Sequence, residues 1–190
     1  MNARQLKITS LVALTTIAFA MSPVHAQTNT TSRTNAMIKE GGAKSTVSSS
    51  DQKLMTKLAQ ANIAEIGTAE LAQNKSKNES VLKFSKQMIA DHTSAQSDLT
   101  ALAGKKNVQL PMDTDAKHKA ALKKMSALNG TAFDREYIAM AAMADHQEAV
   151  KLVGTIAKDA KDPELKALGI ELLPTIENHL KMAKELSSAK

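Results

Sequence analysis

The 190-residue chain has no cysteine and no tryptophan, and only one tyrosine and three phenylalanines. Without cysteine there is no disulfide scaffold, no thiolate metal site and no thiol chemistry. An aromatic content of 2% argues against the core of a β-sandwich or barrel. Strong charge of one sign is also missing. The net charge of +6 falls to +2 for residues 51–190 once Arg4, Lys7, Arg33, Lys39 and Lys44 are set aside with Glu40. The remaining lysines are scattered, with no basic stripe interleaved with aromatics, so nucleic acid is not an expected partner. What the chain does have is Ala, Leu, Lys, Glu and Met, the residues of stable helices, and enough apolar content (43%) for one core.

Residues 1–26 read as a secretory signal. Arg4 and Lys7 form a positive start, Ile8 to Met21 is largely apolar, and Val24-His25-Ala26 suits cleavage after Ala26. The apolar run is short for a membrane span of about 20 residues. The expected mature chain begins at Gln27 and is periplasmic or secreted. Residues 27–50, rich in Ser, Thr, Asn and Gly, offer little to bury and read as a disordered tether.

From Asp51 onward the apolar residues recur at helical spacing. Helices are expected over about 51–74, 79–103, 114–128, 131–159 and 163 to the C-terminus. Gly104 and Gly130 serve as stops, Thr131 with Asp134 as a capping pair, and Asp162-Pro163-Glu164 as a restart. Pro174 should kink the last helix or free the carbonyl of Ile170. The fold class is therefore all-α: a four-helix bundle with an extra short helix in the crossover connection.

Each long helix carries one ionisable residue on its apolar seam. Glu65 lies between Ala61 and Ala72, His92 between Met88 and Ala95, His146 on a seam of Ala139, Ala142, Ala149, Val153 and Ile156, and His179 between Ile176 and Ala183. Glu65 and His92 are equidistant from the NKSKNES turn, and His146 and His179 from Asp162-Pro163. At 1.5 Å per residue each sits about 20 Å from its turn, near mid-bundle. The run Ala90-Asp91-His92-x-x-Ala95 recurs as Ala144-Asp145-His146-x-x-Ala149. Asp91 and Asp145 point about 100° from the neighbouring histidines, so they cannot orient those rings and are free to contact an adjacent helix. His118, flanked by lysines, reads as a surface residue.

Two chemistries fit four such residues at one height. One is a site for a small ligand or a single transition metal, with zinc, copper, iron and manganese all suited to three imidazoles and a carboxylate. The other is a structural Glu–His network, since unpaired buried polar groups are costly. Met88, Met143 and Met182 lie one turn from a seam histidine and are candidate further ligands; as soft donors they would favour copper. They fall on one side of the histidine layer if the second and third long helices run parallel.

The runs A-E-I at Ala64–Ile66, M-x-x-D-H at Met88–His92, F-D-x-x-Y at Phe133–Tyr137, D-H at Asp145-His146 and L-P-x-x-x-x-H-L at Leu173–Leu180 resemble a bacterial exported family, domain of unknown function 4142 (DUF4142). The resemblance covers residues 51–187 and implies a ferritin-like bundle outside the cytoplasm. It brings no activity with it. Di-iron bundles use Glu-x-x-His, whereas Ile89, Met143 and Ile176 stand three residues before the seam histidines, so a di-iron centre is not expected. No Ser-His-Asp spacing or phosphate loop calls for an enzyme. The alternative to a metal- or ligand-binding role is a structural or interaction protein, with an envelope protein or a second copy as partner.

Overall fold

The computed structural model describes residues 45–188, which are helical throughout apart from turns and short loops. The expected signal segment, its cleavage site and residues 27–44 of the tether lie outside the described residues. Helix α1 is Ser49–Lys75, α2 Glu79–Lys106, α3 Ala116–Ser126, α4 Gly130–Tyr137, α5 His146–Asp159 and α6 Pro163–Ser188. Between α4 and α5, Ile138–Asp145 forms a π-helical segment.

Side-chain caps set several of these starts. The Ser48 hydroxyl accepts from Asp51 N, Asn78 Oδ1 from Ser80 N and Val81 N, and Asp115 Oδ1 from His118 N. Asp162 Oδ1 accepts from Glu164 N and Leu165 N, as the restart motif requires. Other expectations are corrected. Val47 is buried and Ser48 caps α1, so the last residues of the expected tether belong to the folded body. Helix α2 runs past the exposed Gly104 to Asn107, whose φ of 53° closes it. Val108 N then donates to Ala103 O and Asn107 N to Gly104 O, the paired bonds of a left-handed cap. Thr131 caps nothing. Asn129 occupies the cap of α4 without a side-chain bond, and Gly130 at φ 54° makes the turn. Helix α6 continues through Pro174, which lies on an exposed face beside the 59% exposed Ile170, so water can satisfy the freed carbonyl.

Polar ties between the helix ends give the direction of each helix. Lys75 Nζ, at the end of α1, donates to Leu128 O just before α4. Asp51, near the start of α1, accepts from Lys161 N and Asp162 N at the α5–α6 turn. Lys106, ending α2, pairs with Asp162 at 2.8 Å. Hence α1 and α6 run one way, and α2 and the α4–α5 rod run the other. Helix α3 climbs back along the bundle, tied by Thr114 Oγ1 to Gln60 O at 2.9 Å. Neighbours are antiparallel around the ring α1, α2, α6, α5, which is the four-helix bundle with one crossover.

The core forms two apolar halves. One holds Met55, Leu58, Leu99, Val153, Ile156 and Leu165. The other holds Val81, Phe84, Met88, Phe133, Tyr137 and Leu186. The π-helical segment re-phases the seam of His146. It inserts one residue, so Ala141 and Ala142 are both buried while Ala139, expected inward, is exposed. Phe133 and Tyr137 are turned inward instead, fully buried and stacked at 6.1 Å.

Candidate metal centre

Where the two apolar halves meet, α2, α5 and α6 each present one histidine to the bundle axis. His92, His146 and His179 are at most 2% exposed, and their ring centroids form a triangle with sides of 5.5, 5.4 and 5.4 Å. One ring nitrogen from each lies within 4.8 Å of the other two.

The second nitrogen of every ring is held by a different acceptor. His92 Nδ1 meets Asn62 Oδ1 at 3.1 Å, and the Asn62 amide is oriented by donating to Gln96 Oε1. His146 Nδ1 meets the carbonyl of Ala141 at 3.0 Å. That carbonyl is reachable because the π-helical segment disturbs the regular ladder: His146 N donates to Met143 O, not to an α-helical partner. His179 Nε2 meets Asp91 Oδ2 at 2.8 Å. An amide oxygen, a peptide oxygen and a carboxylate can only accept, so each of these nitrogens carries the hydrogen. The lone pairs left over are those of His92 Nε2, His146 Nε2 and His179 Nδ1.

Those lone pairs are unsatisfied. The two Nε2 atoms face each other at 3.5 Å with no hydrogen between them, and His179 Nδ1 has no partner. Burial disfavours protonation here. It holds His92 well below the usual histidine range, with His146 and His179 adding to the effect, and pushes His146 down to about 4. Burial also lowers His179, opposed by Asp91. The result is three neutral imidazoles with converging lone pairs, each ring anchored by the kind of partner that orients metal-binding histidines.

Glu65 stands apart from this triangle. Its carboxyl lies 3.4 Å from His146 Nδ1, on the edge of the ring turned away from the other two histidines, and that hydrogen is already given to Ala141. Glu65 Oε1 accepts no hydrogen bond. Burial, and then Asp145, push its carboxyl well above the usual range. The expected group of four is thus a group of three with Glu65 behind it. Met88, Met143 and Met182 lie in or against the same apolar half, on one side of the histidines, as parallel α2 and α5 require. Asn178 Nδ2 donates to the Met182 sulfur at 3.5 Å.

The repeated Ala-Asp-His runs share a use. Each aspartate reaches a histidine on another helix: Asp91 to His179, and Asp145 to His118 at 3.7 Å. His118 is not the surface residue expected, for its side chain is 14% exposed and Asp115 holds it at 2.8 Å. Sequence reasoning also missed Asn62 and the Ala141 carbonyl. Asn62 could have been found, because it falls between Leu58 and Glu65 on the seam of α1.

The profile of a family described as "Domain of unknown function (DUF4142)" matches residues 36–186. A DUF305 fragment from Deinococcus radiodurans superposes with a TM-score of 0.65 at 15% identity, covering 74% of this chain and 97% of its own. CopM is similar in its Cu(I)-bound form (TM-score 0.59, 19% identity) and covers 71% of this chain and 93% of its own. Its Cu(II)-bound form gives a TM-score of 0.60 at 20% identity, with the same coverage. At such identities the likeness shows the fold alone. No curated protein matches the sequence.

Proposed function

The chain belongs to the DUF4142 family, and from that premise we propose that it is an exported bundle holding one transition-metal ion, copper in preference, on His92, His146 and His179. The observation that carries this reading is the convergence of three hydrogen-free ring nitrogens whose opposite edges are all anchored. Two nitrogens bound to one ion at about 2.0–2.1 Å stand roughly 3.3–3.6 Å apart. His92 Nε2 and His146 Nε2 are 3.5 Å apart. A spacing of up to 4.8 Å for the other pairs asks for about an ångström of ring movement.

Copper is favoured by three considerations. As the divalent ion it heads the affinity order for nitrogen ligands, and of the four candidate metals it is the one with a stable singly charged form. A neutral ligand set in an apolar interior suits a singly charged ion better than a doubly charged one, because the desolvation penalty rises steeply with charge. The thioether-bearing half of the core adjoins the rings on one side. CopM, whose copper-bound structures share the fold, is in keeping with this choice. A purely structural Glu–His network is less well supported, since such a network would not leave His179 Nδ1 and Glu65 Oε1 without partners.

The ion would be held by the histidines and would supply a soft cation in a water-poor chamber. Asn62, Ala141 and Asp91 orient the rings and keep their hydrogens away from the ion. A role in the periplasm or outside the cell is supported by the signal-like residues 1–26. No helix among the described residues is long and apolar enough to cross a membrane. Elemental analysis of the protein loaded in turn with copper and zinc, with and without His92→Gln, tests the reading. Near-stoichiometric copper that raises Tm in the wild type and is lost in the variant is expected. No bound metal after loading refutes it.

A further inference from the structure

The turn from α3 into α4 holds the single Asn-Gly pair of the sequence, Asn129-Gly130. Both residues are exposed. In such a pair the glycine nitrogen reaches the asparagine side-chain carbon with little hindrance, because no Cβ stands in the way. The turn is also uncrowded. Gly130 has a φ of 54°, and no atom lies within 4 Å of the place its Cβ would take.

Two further features act on the atoms that would react. Gly130 opens α4, so its N–H is among the first amides of the helix, which no helical carbonyl accepts. The partial positive charge at a helix start favours a nitrogen there that has shed its proton. On the other side, Lys75 Nζ donates to Asn129 Oδ1 at 3.2 Å while Leu128 O holds it at 3.0 Å. An ammonium on that oxygen polarises the side-chain carbonyl and stabilises the negative charge that gathers there when its carbon is attacked. The Asn129 side chain is not spent on capping α4.

We propose that Asn129-Gly130 is a self-modifying site at which Lys75 assists conversion of Asn129 to aspartate and isoaspartate. Gly130 N bonds to Asn129 Cγ, the Cγ–Nδ2 bond breaks, and the Gly130 proton leaves with Nδ2 as ammonia. Water then opens the cyclic imide at either carbonyl. Ammonia leaves, water enters, and neither oxidant nor cofactor is needed. Opening at the side-chain carbonyl puts a carboxylate opposite Lys75, so an ion pair ties the end of α1 to the start of α4 where an amide stood. Opening at the backbone carbonyl lengthens the main chain between α3 and α4 by one carbon. The inference stands whether or not the core binds copper.

The test is peptide mapping by mass spectrometry of the full chain aged at neutral pH, both folded and in urea. The mass gain of an amide exchanged for a carboxyl should accumulate at Asn129. Lys75→Met should slow conversion of the folded protein about threefold or more and leave the rate in urea unchanged. A lysine that merely held the turn would, once removed, loosen it and speed conversion. Gly130→Ala should slow conversion about tenfold or more in both states. The proposal is overturned if Asn129 gains no mass in the folded wild type. It is equally overturned if folded Lys75→Met converts as fast as the wild type or faster, or if Gly130→Ala leaves the rate unaltered.

Discussion

The buried histidines make the metal-free protein acid-labile, and the size of the effect follows from their surroundings. An imidazole whose folded pKa lies below its unfolded value stabilises the fold fully above the unfolded pKa, and that stability is lost as pH falls toward the folded one. His146 moves from 6.5 in the unfolded chain to about 4 in the fold. Its share of the loss between pH 7 and pH 4.5 is about 2 kcal/mol. His92 and His179 act in the same direction. Glu65 acts in the opposite one, because its raised pKa favours the protonated folded state as pH falls, and so does His118, whose imidazolium is held by Asp145 and Asp115. The experiment is therefore run in Glu65→Gln with His118→Gln, which removes both opposing groups. The lowered carboxylates of Asp115 and Asp162 lose their stabilising effect only as pH falls below about 3.8, outside the window. Urea unfolding at pH 7 and 4.5 should show a loss of at least about 2 kcal/mol, and His146→Gln should reduce it. A stability that stays level or rises on acidification would refute the reading of three neutral, buried rings.

Three further perturbations follow from particular contacts. A Cβ on Gly169 would lie 2.6 Å from Ala157 N and 2.7 Å from Ile156 Cγ2, so Gly169→Ala must push α5 and α6 apart. A cost of about 1–3 kcal/mol, seen as a Tm lower by roughly 4–12 °C in a thermal melt, is expected. Deleting the exposed Ala139 should restore an α-helical ladder and take away the carbonyl that holds His146 Nδ1. The far-ultraviolet circular dichroism spectrum should stay helical while copper affinity falls about 10–100-fold. Asp51→Ala leaves Lys161 N and Asp162 N without their acceptor at the α5–α6 turn and should cost about 1–3 kcal/mol in urea unfolding.

Much of this fold is written in the periodicity of the chain. The seams of α2 and α6 are found where their apolar spacing places them, and the equal distances of His92 from its turn and of His146 and His179 from theirs translate directly into one layer. Neighbouring helices turned out antiparallel around the whole ring, and that is what makes residues equidistant from a turn meet. Three features were not legible in that way. The π-helical insertion breaks the regular period, so Ala139 was placed inward. The clue was that Phe133 and Tyr137, two of only four Phe and Tyr side chains, fell off the expected seam. Glu65 shares the height of the histidines but not their side of His146, since height is set by residue count whereas rotation about the axis is set by packing. His118 looked exposed among lysines because its cover, Asp145, comes from a helix 27 residues further along the chain.

The central claim is that His92, His146 and His179 together hold one ion. X-ray absorption of the copper-loaded full chain tests this most directly. The account predicts nitrogen ligands at about 2.0 Å with the outer-shell scattering of three imidazoles, reduced in number by His179→Gln. Copper bound mainly by sulfur, or by a single imidazole whose signal survives every substitution in the triangle, would contradict it.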